Sequence, residues 1–236
     1  MAPEPEPPAD AEAAHSPEPT GTDAVVGETR WPMAGAVVAA IVLTILLPAA
    51  VRPGPRWLLP LVEAVLLVVV IVGDPVRISR RSRLLRAISI VLVSVLVLAT
   101  LWSTGQLIND LIHGGPETNS ASDLLEAGSL VWVSNNIAFA LLFWELDGGG
   151  AAARAHHVPD HPDLGFPQVL NPRIAPANWR PRFIDYLYLG FTNATAFSPT
   201  DVMPLVPWAK IAMAVQSVIS LAILGLVIAR AVNVFT

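Results

Sequence analysis

The chain has 236 residues, of which 53% are hydrophobic and only 14% charged, and its mean hydropathy is +0.57. An ordinary soluble domain is about 25% charged, so the composition points to an integral membrane protein and away from a soluble enzyme. There is no cysteine, which excludes disulfides, thiol catalysis and thiolate metal sites.

The net charge of −5 is unevenly placed. Residues 1–30 hold seven acids and one base, Arg30, while the other 206 residues hold twelve acids and thirteen bases. This first segment is rich in Pro and Glu and has too little apolar surface to offset the entropy of ordering it. It reads as a disordered tail, without the basic region of a secretory leader.

Residues 31–147 form a region of four apolar stretches: Trp31–Val51, Trp57–Gly73, Leu84–Trp102 and Leu124–Leu146. Each reaches or approaches the roughly 20 residues that cross about 30 Å of hydrocarbon as a helix. Pro48 ends or kinks the first stretch, and Arg52-Pro-Gly-Pro-Arg56 makes a tight turn into the second. Residues 148–182 form a polar linker with Gly148-Gly149-Gly150 and six prolines. Residues 183–236 comprise a half-apolar segment, Phe183–Leu205, and a long last helix from Pro207 to Phe235.

Orientation follows from charge. The link between the second and third stretches carries Arg77, Arg80, Arg81, Arg83 and Arg86, which places it on the cytoplasmic side by the positive-inside rule. The same loop suits contact with anionic lipid headgroups, and nothing calls for a nucleic-acid partner. The expectation is an all-α bundle of about six transmembrane helices in a cell membrane, the fifth short and broken. Both termini are then cytoplasmic; if 183–205 instead dips in and returns, the C-terminus lies outside.

Phe183–Leu205 is the segment with candidate chemistry. As a helix to Phe197 it sets Asp185, Tyr188, Thr192 and Thr195 on one face, with Asn193 beside them. Pro199 disfavours helical geometry at Ser198. The helix is expected to stop there and give way to oxygen-rich backbone, Ser198-Pro199-Thr200-Asp201.

Thr192–Lys210, TNATAFSPTDVMPLVPWAK, resembles the pore loop of two-span potassium channels. In that family a pore helix ends in T-x-T-T, a V-G-Y-G-D filter follows, a Pro lies three residues after the Asp, and Trp-Gly-Arg opens the inner helix. Ala194-Thr195, Asp201, Pro204 and Trp208-Ala209-Lys210 match those positions without a gap. The segment is also similar to uncharacterised actinobacterial multi-pass membrane proteins that share F-T-N-A-T-A-F-S-P-T-D. Where the channels have Gly-Tyr-Gly, this chain has Ser198-Pro199-Thr200. Proline fixes φ and cannot give the glycine conformations that align filter carbonyls, so potassium selectivity is not expected.

The resemblance implies a path for ions, monovalent cations among them, or for a small solute. Thr192, Asn193, Thr195, Ser198, Thr200 and Asp201 would line it, closed by copies of the chain in a homo-oligomer. The alternative is a non-conducting membrane scaffold or assembly partner in which the same residues pack the fifth helix.

Other polar groups lie inside apolar stretches. Glu63 sits within the second, where an acid is costly and marks either a functional site or an interfacial pair. Asn135 and Asn136 in the fourth suit hydrogen bonds between helices. Asp185 suits a structural ion pair with Arg182 or Arg230, and Gln216, Ser217 and Ser220 suit close packing. His156, His157, Asp160, His161 and Asp163 are residue types that bind zinc or nickel, but a Pro-rich polar linker reads more simply as solvated. No metal or cofactor is expected, and no catalytic motif is recognisable.

Overall fold

A computed structural model of the protein describes residues 27–75, 77–78, 82–114, 120–156, 161–171, 173–176, 179–197 and 201–235. The expected disordered tail lies outside these up to residue 26. Its last residues do not follow that expectation: Glu28–Thr29 form a short strand, β1, and Arg30 takes the position just before the helix that follows.

The described residues are mainly helical. Helix α1 spans Trp31–Leu46, α2 Leu58–Gly73, α3 Arg83–His113, α4 Ala121–Leu146, α5 Ala151–His156, α6 Pro167–Leu170, α7 Phe183–Ala196 and α8 Pro207–Phe235. Two-residue strands β2 (Arg77–Ile78), β3 (Leu164–Gly165) and β4 (Met203–Pro204) lie between them. Three helices are long and apolar enough to cross a membrane: Arg83–His113, α4 extended to Gly149, and α8 to Arg230. Helices α1 and α2 are shorter apolar helices of 16 residues, about 24 Å each at 1.5 Å per residue.

Helices α1 and α2 each turn one stripe inward. In α1 the buried positions are Met33, Ala34, Val37, Ala40 and Thr44, and in α2 they are Pro60, Glu63, Leu67 and Val70. Both series have the 3–4 spacing of a single helical face. Helix α4 is the hub and packs against α1, α3, α7 and α8. Two of its contacts are made possible by missing side chains. A Cβ on Gly128 would lie 2.8 Å from a methyl of Val227, and one on Gly190 would lie 2.9 Å from Asn136 Oδ1. Small residues let helix backbones approach closely where lipid tails supply no hydrophobic drive between helices.

Helix α3 runs eleven residues beyond the expected end at Trp102. Its last turns carry Gln106, Asn109 and Asp110, whose hydropathy hides a helix that only its neighbours make evident.

One end of the bundle gathers most of the charge. There β1 pairs antiparallel with β2, and Arg30 meets Asp74 at the end of α2. The start of α3 and the end of α4 join them around a cleft of about 410 Å3 that includes Arg83, Arg86 and Glu145. The end of α3 and the start of α4 lie at the opposite end.

Helix α7 starts at the charged end, where Phe183 N–H donates to Glu28 and Tyr186 O–H to Asp147. It then runs antiparallel to α4, so that Gly190 reaches Asn136 and Phe191 reaches Trp132. After Phe197 the chain comes back. Strand β4 pairs with β3, Leu205 N–H donates to Asp163 O at 3.0 Å, and Leu164 N–H donates to Asp147 Oδ1 at 3.2 Å. Both ends of 183–205 therefore meet at the charged end. The expected crossing by this segment is not what the chain forms, and α7, with 14 residues, is about 21 Å long and too short for it.

The return of the chain sets the direction of α8. It leaves the charged end and ends beside the start of α4, where Val227 meets Gly128. The C-terminal part of α8 is thus at the opposite end from β1.

Candidate functional site

The end of α7 is sharp. Phe197 adopts the left-handed conformation (φ 56°), unusual for an aromatic residue. It closes the helix one residue before Ser198. Ser198, Pro199 and Thr200 lie outside the described residues.

The remaining pore candidates divide into two groups. Thr195 is exposed, and its hydroxyl donates to Phe191 O at 2.9 Å. Tyr188 and Asp201 are exposed as well. Thr192 and Asn193 instead face the interior. Thr192 returns its hydroxyl proton to Tyr188 O at 3.0 Å, a bond inside its own helix.

Asn193 is fully buried and clasps α7 to α8. Its amide donates to Gln216 Oε1 at 2.8 Å and to Met213 O at 3.0 Å. Gln216 donates in turn to Gly190 O at 3.0 Å, and Ser217 donates to Asn193 Oδ1 at 3.2 Å. Every polar atom of the Asn193–Gln216 pair is thereby used. Such a closed set holds helices together and leaves nothing for a passing ion. The small polar group expected to serve packing on the last helix does so through Gln216 and Ser217, while Ser220 Oγ is buried without a hydrogen-bond partner among the described residues.

Asp185 takes neither of its expected partners by side chain. Its carboxylate accepts the Arg182 backbone N–H at 2.7 Å and caps α7, where a negative charge also suits the helix dipole. Asn136 packs against Gly190. Asn135 is fully buried, and both of its amide atoms lack hydrogen-bond partners among the described residues. Glu63 is likewise fully buried, between α1, α2, α3 and α4.

Parts of the linker, α5 and Leu164–Phe166, fold onto the charged end, while His156 and His161 are exposed as a solvated stretch would be. Arg154 on α5 is buried, donates to Trp144 O at 2.9 Å and to Asp147 O, and sits 5.0 Å from the centre of the Tyr186 ring. Asp147 accepts from Tyr186 O–H at 2.5 Å, the short distance of a charge-assisted bond. Arg180 bonds the carbonyls of Arg154 and Ala155 at 2.8 and 2.6 Å. No sequence pattern marks Arg154, because its partners Trp144, Asp147 and Tyr186 are set by folding and not by spacing.

Two groups near the start of the described chain have shifted proton affinities. Burial raises the Glu28 carboxyl, against the opposing hydrogen bonds from Phe183 N–H and Trp144 Nε1–H and the charge of Arg154. Burial lowers the Arg30 guanidinium, against Asp74 and Glu145.

His157 and Asp160 of the considered metal set lie outside the described residues. Of the others, Asp163 accepts the Gly148 N–H at 3.1 Å. Among the described residues no group of three or more His, Asp or Glu is arranged to hold a metal ion. No protein-family model, curated protein or solved structure matches the chain.

Proposed function

We propose that the protein is a multi-pass membrane protein with five crossings, α1 to α4 and α8, and one re-entrant hairpin formed by α7 and its return to β4. The charged end is cytoplasmic, since Arg30, Arg83, Arg86, Arg154, Arg180, Arg182 and Lys210 belong to it and positive charge is retained on that side. The C-terminus is then external. Helices α1 and α2 cross with local thinning of the bilayer or with flanking residues such as Trp31 and Trp57 at its surfaces.

The hairpin lines a path for ions or a small solute, completed by further copies of the chain. The observation that carries this reading is the return itself. It leaves the left-handed end of α7 at Phe197 beyond the level of Trp132, part-way along α4, and Phe197 is 41% exposed on the single chain. Irregular backbone at membrane depth persists only where protein buries it or water reaches it. A second copy or a wet path meets that demand, and a lone chain in lipid does not. In this reading Thr195 and Asp201 face the path, Thr192 and Asn193 hold the helix, and the likeness to a potassium-channel pore loop is one of layout without its selectivity.

The test is flux into liposomes carrying the purified protein. Wild type should pass at least one common monovalent ion faster than empty liposomes, and Thr195→Ala or Asp201→Asn should change that rate. A rate equal to empty liposomes across common ions and small solutes favours the second reading, a non-conducting scaffold. The closed Asn193–Gln216–Ser217 clasp is what supports that alternative.

A further inference from the structure

Apart from the hairpin, the four helices α1 to α4 enclose a cavity with an acid in its wall. We propose that Glu63 and the hydroxyls of Thr44, Thr100, Ser103 and Ser134 form a site for one unhydrated monovalent cation the size of sodium, with Glu63 protonated when the site is empty.

Four observations converge on it. Glu63 has no exposed surface, and neither of its carboxyl oxygens has a hydrogen-bond partner among the described residues. Ser103 Oγ and Ser134 Oγ are also buried without partners and line the same cavity. Thr44 donates its hydroxyl proton to Ala40 O at 2.9 Å, which leaves the oxygen lone pairs free for a cation. The space open to the centre of a water-sized sphere is about 10 Å3, room for one such particle.

The chemistry selects the occupant. A buried carboxylate with no counter-charge is strongly disfavoured, so it takes up a proton or pairs, and no basic residue lines this cavity. The polar side chains in an otherwise apolar wall offer only oxygen, the donor that hard cations prefer. One carboxylate balances one positive charge, which selects a monovalent ion over a divalent one. The cavity has no room for a hydration shell, so the hydroxyls must replace it. The proposal stands whether or not the hairpin conducts, because it rests on α1 to α4 and is read by a different assay.

An apolar carbodiimide, dicyclohexylcarbodiimide, tests it on the full chain in detergent or liposomes. The reagent consumes a protonated carboxyl. The acid proton goes to a carbodiimide nitrogen, the carboxyl oxygen bonds the central carbon, and acyl migration to nitrogen leaves an adduct of protein plus reagent. Mass spectrometry should locate the adduct at Glu63. Labelling should slow as sodium replaces choline at constant ionic strength and pH, with potassium protecting far less. In the double variant Ser103→Ala, Ser134→Ala, Glu63 should still label while sodium no longer protects it. Absence of an adduct at Glu63, equal labelling in sodium and choline, or full protection retained in the double variant would each overturn the site. Equal protection by potassium would overturn its size. The decisive contrast is made within the wild-type protein, so it does not depend on a variant folding.

Discussion

Replacing Asn193 by Ala, Gln216 by Ala, and both together measures whether the α7–α8 clasp holds the hairpin in place. Both side chains have no exposed surface. Asn193→Ala removes the donor to Gln216 Oε1 and to Met213 O, and it deprives Ser217 of an acceptor. Leaving a buried polar atom unpaired costs about 1–3 kcal/mol, and each single variant should fall in that range. The pair itself should couple less strongly. Hydrogen bonds between membrane helices average about 0.6 kcal/mol and reach about 1.7, and this bond is short at 2.8 Å and enclosed. A coupling near about 1 kcal/mol is therefore expected. The assay is unfolding in mixed detergent micelles followed by tryptophan fluorescence, since Trp132 and Trp144 contact α7 through Phe191 and Phe183. Additivity of the two single variants within about 0.3 kcal/mol would refute the clasp.

Gly190→Leu should displace α7 from α4, because its Cβ would meet Asn136 Oδ1 at 2.9 Å and Asn136 O at 3.3 Å. A side chain forced into such a site costs about 1–3 kcal/mol, to be read in the same unfolding assay; an unchanged midpoint would count against the packing described. Glu28 should make stability depend on pH. Its carboxyl is raised above 4.5 in the folded chain, so its favourable contribution is complete below the ordinary value and is lost as pH rises through the raised one. The melting temperature of wild type should fall over that window and that of Glu28→Gln should fall less; parallel pH profiles would contradict the assignment.

The apolar helices were legible in the sequence because length and hydropathy are local properties. Helix α2 ends at Gly73 and α8 runs Pro207–Phe235 as expected. The end of α7 was legible to within two residues, since Pro199 limits any helix before it. The direction of the chain after Phe197 was not legible. A crossing and a dip have the same hydropathy over 183–205, and what separates them is the pairing of Leu164–Gly165 with Met203–Pro204. Two-residue strands carry no periodic pattern. The buried parts of the linker were not legible for a related reason: its polar, proline-rich composition reads as solvated throughout, which holds for His156 and His161. Yet Arg154 and Asp147 become buried because Tyr186 and the last carbonyls of α4 meet them. In the candidate site, the hydroxyl and amide residues of α7 were found from composition. Which of them face inward depends on Gln216, 23 residues beyond Asn193. Glu63 stood out at once, as an acid in a span does, but its hydroxyl neighbours come from three other helices.

The re-entrant hairpin is the centre of the account, and the natural absence of cysteine makes its test direct. Single cysteines at Ile184 and Met203, both more than half exposed, are labelled in sealed vesicles with a membrane-impermeant thiol reagent applied from one side at a time. Ser122→Cys, next to the start of α4, marks the other side. The hairpin predicts that Ile184→Cys and Met203→Cys react from the same side and Ser122→Cys from the opposite one. Reaction of Ile184→Cys and Met203→Cys from opposite sides would mean that the segment crosses, and would contradict the account.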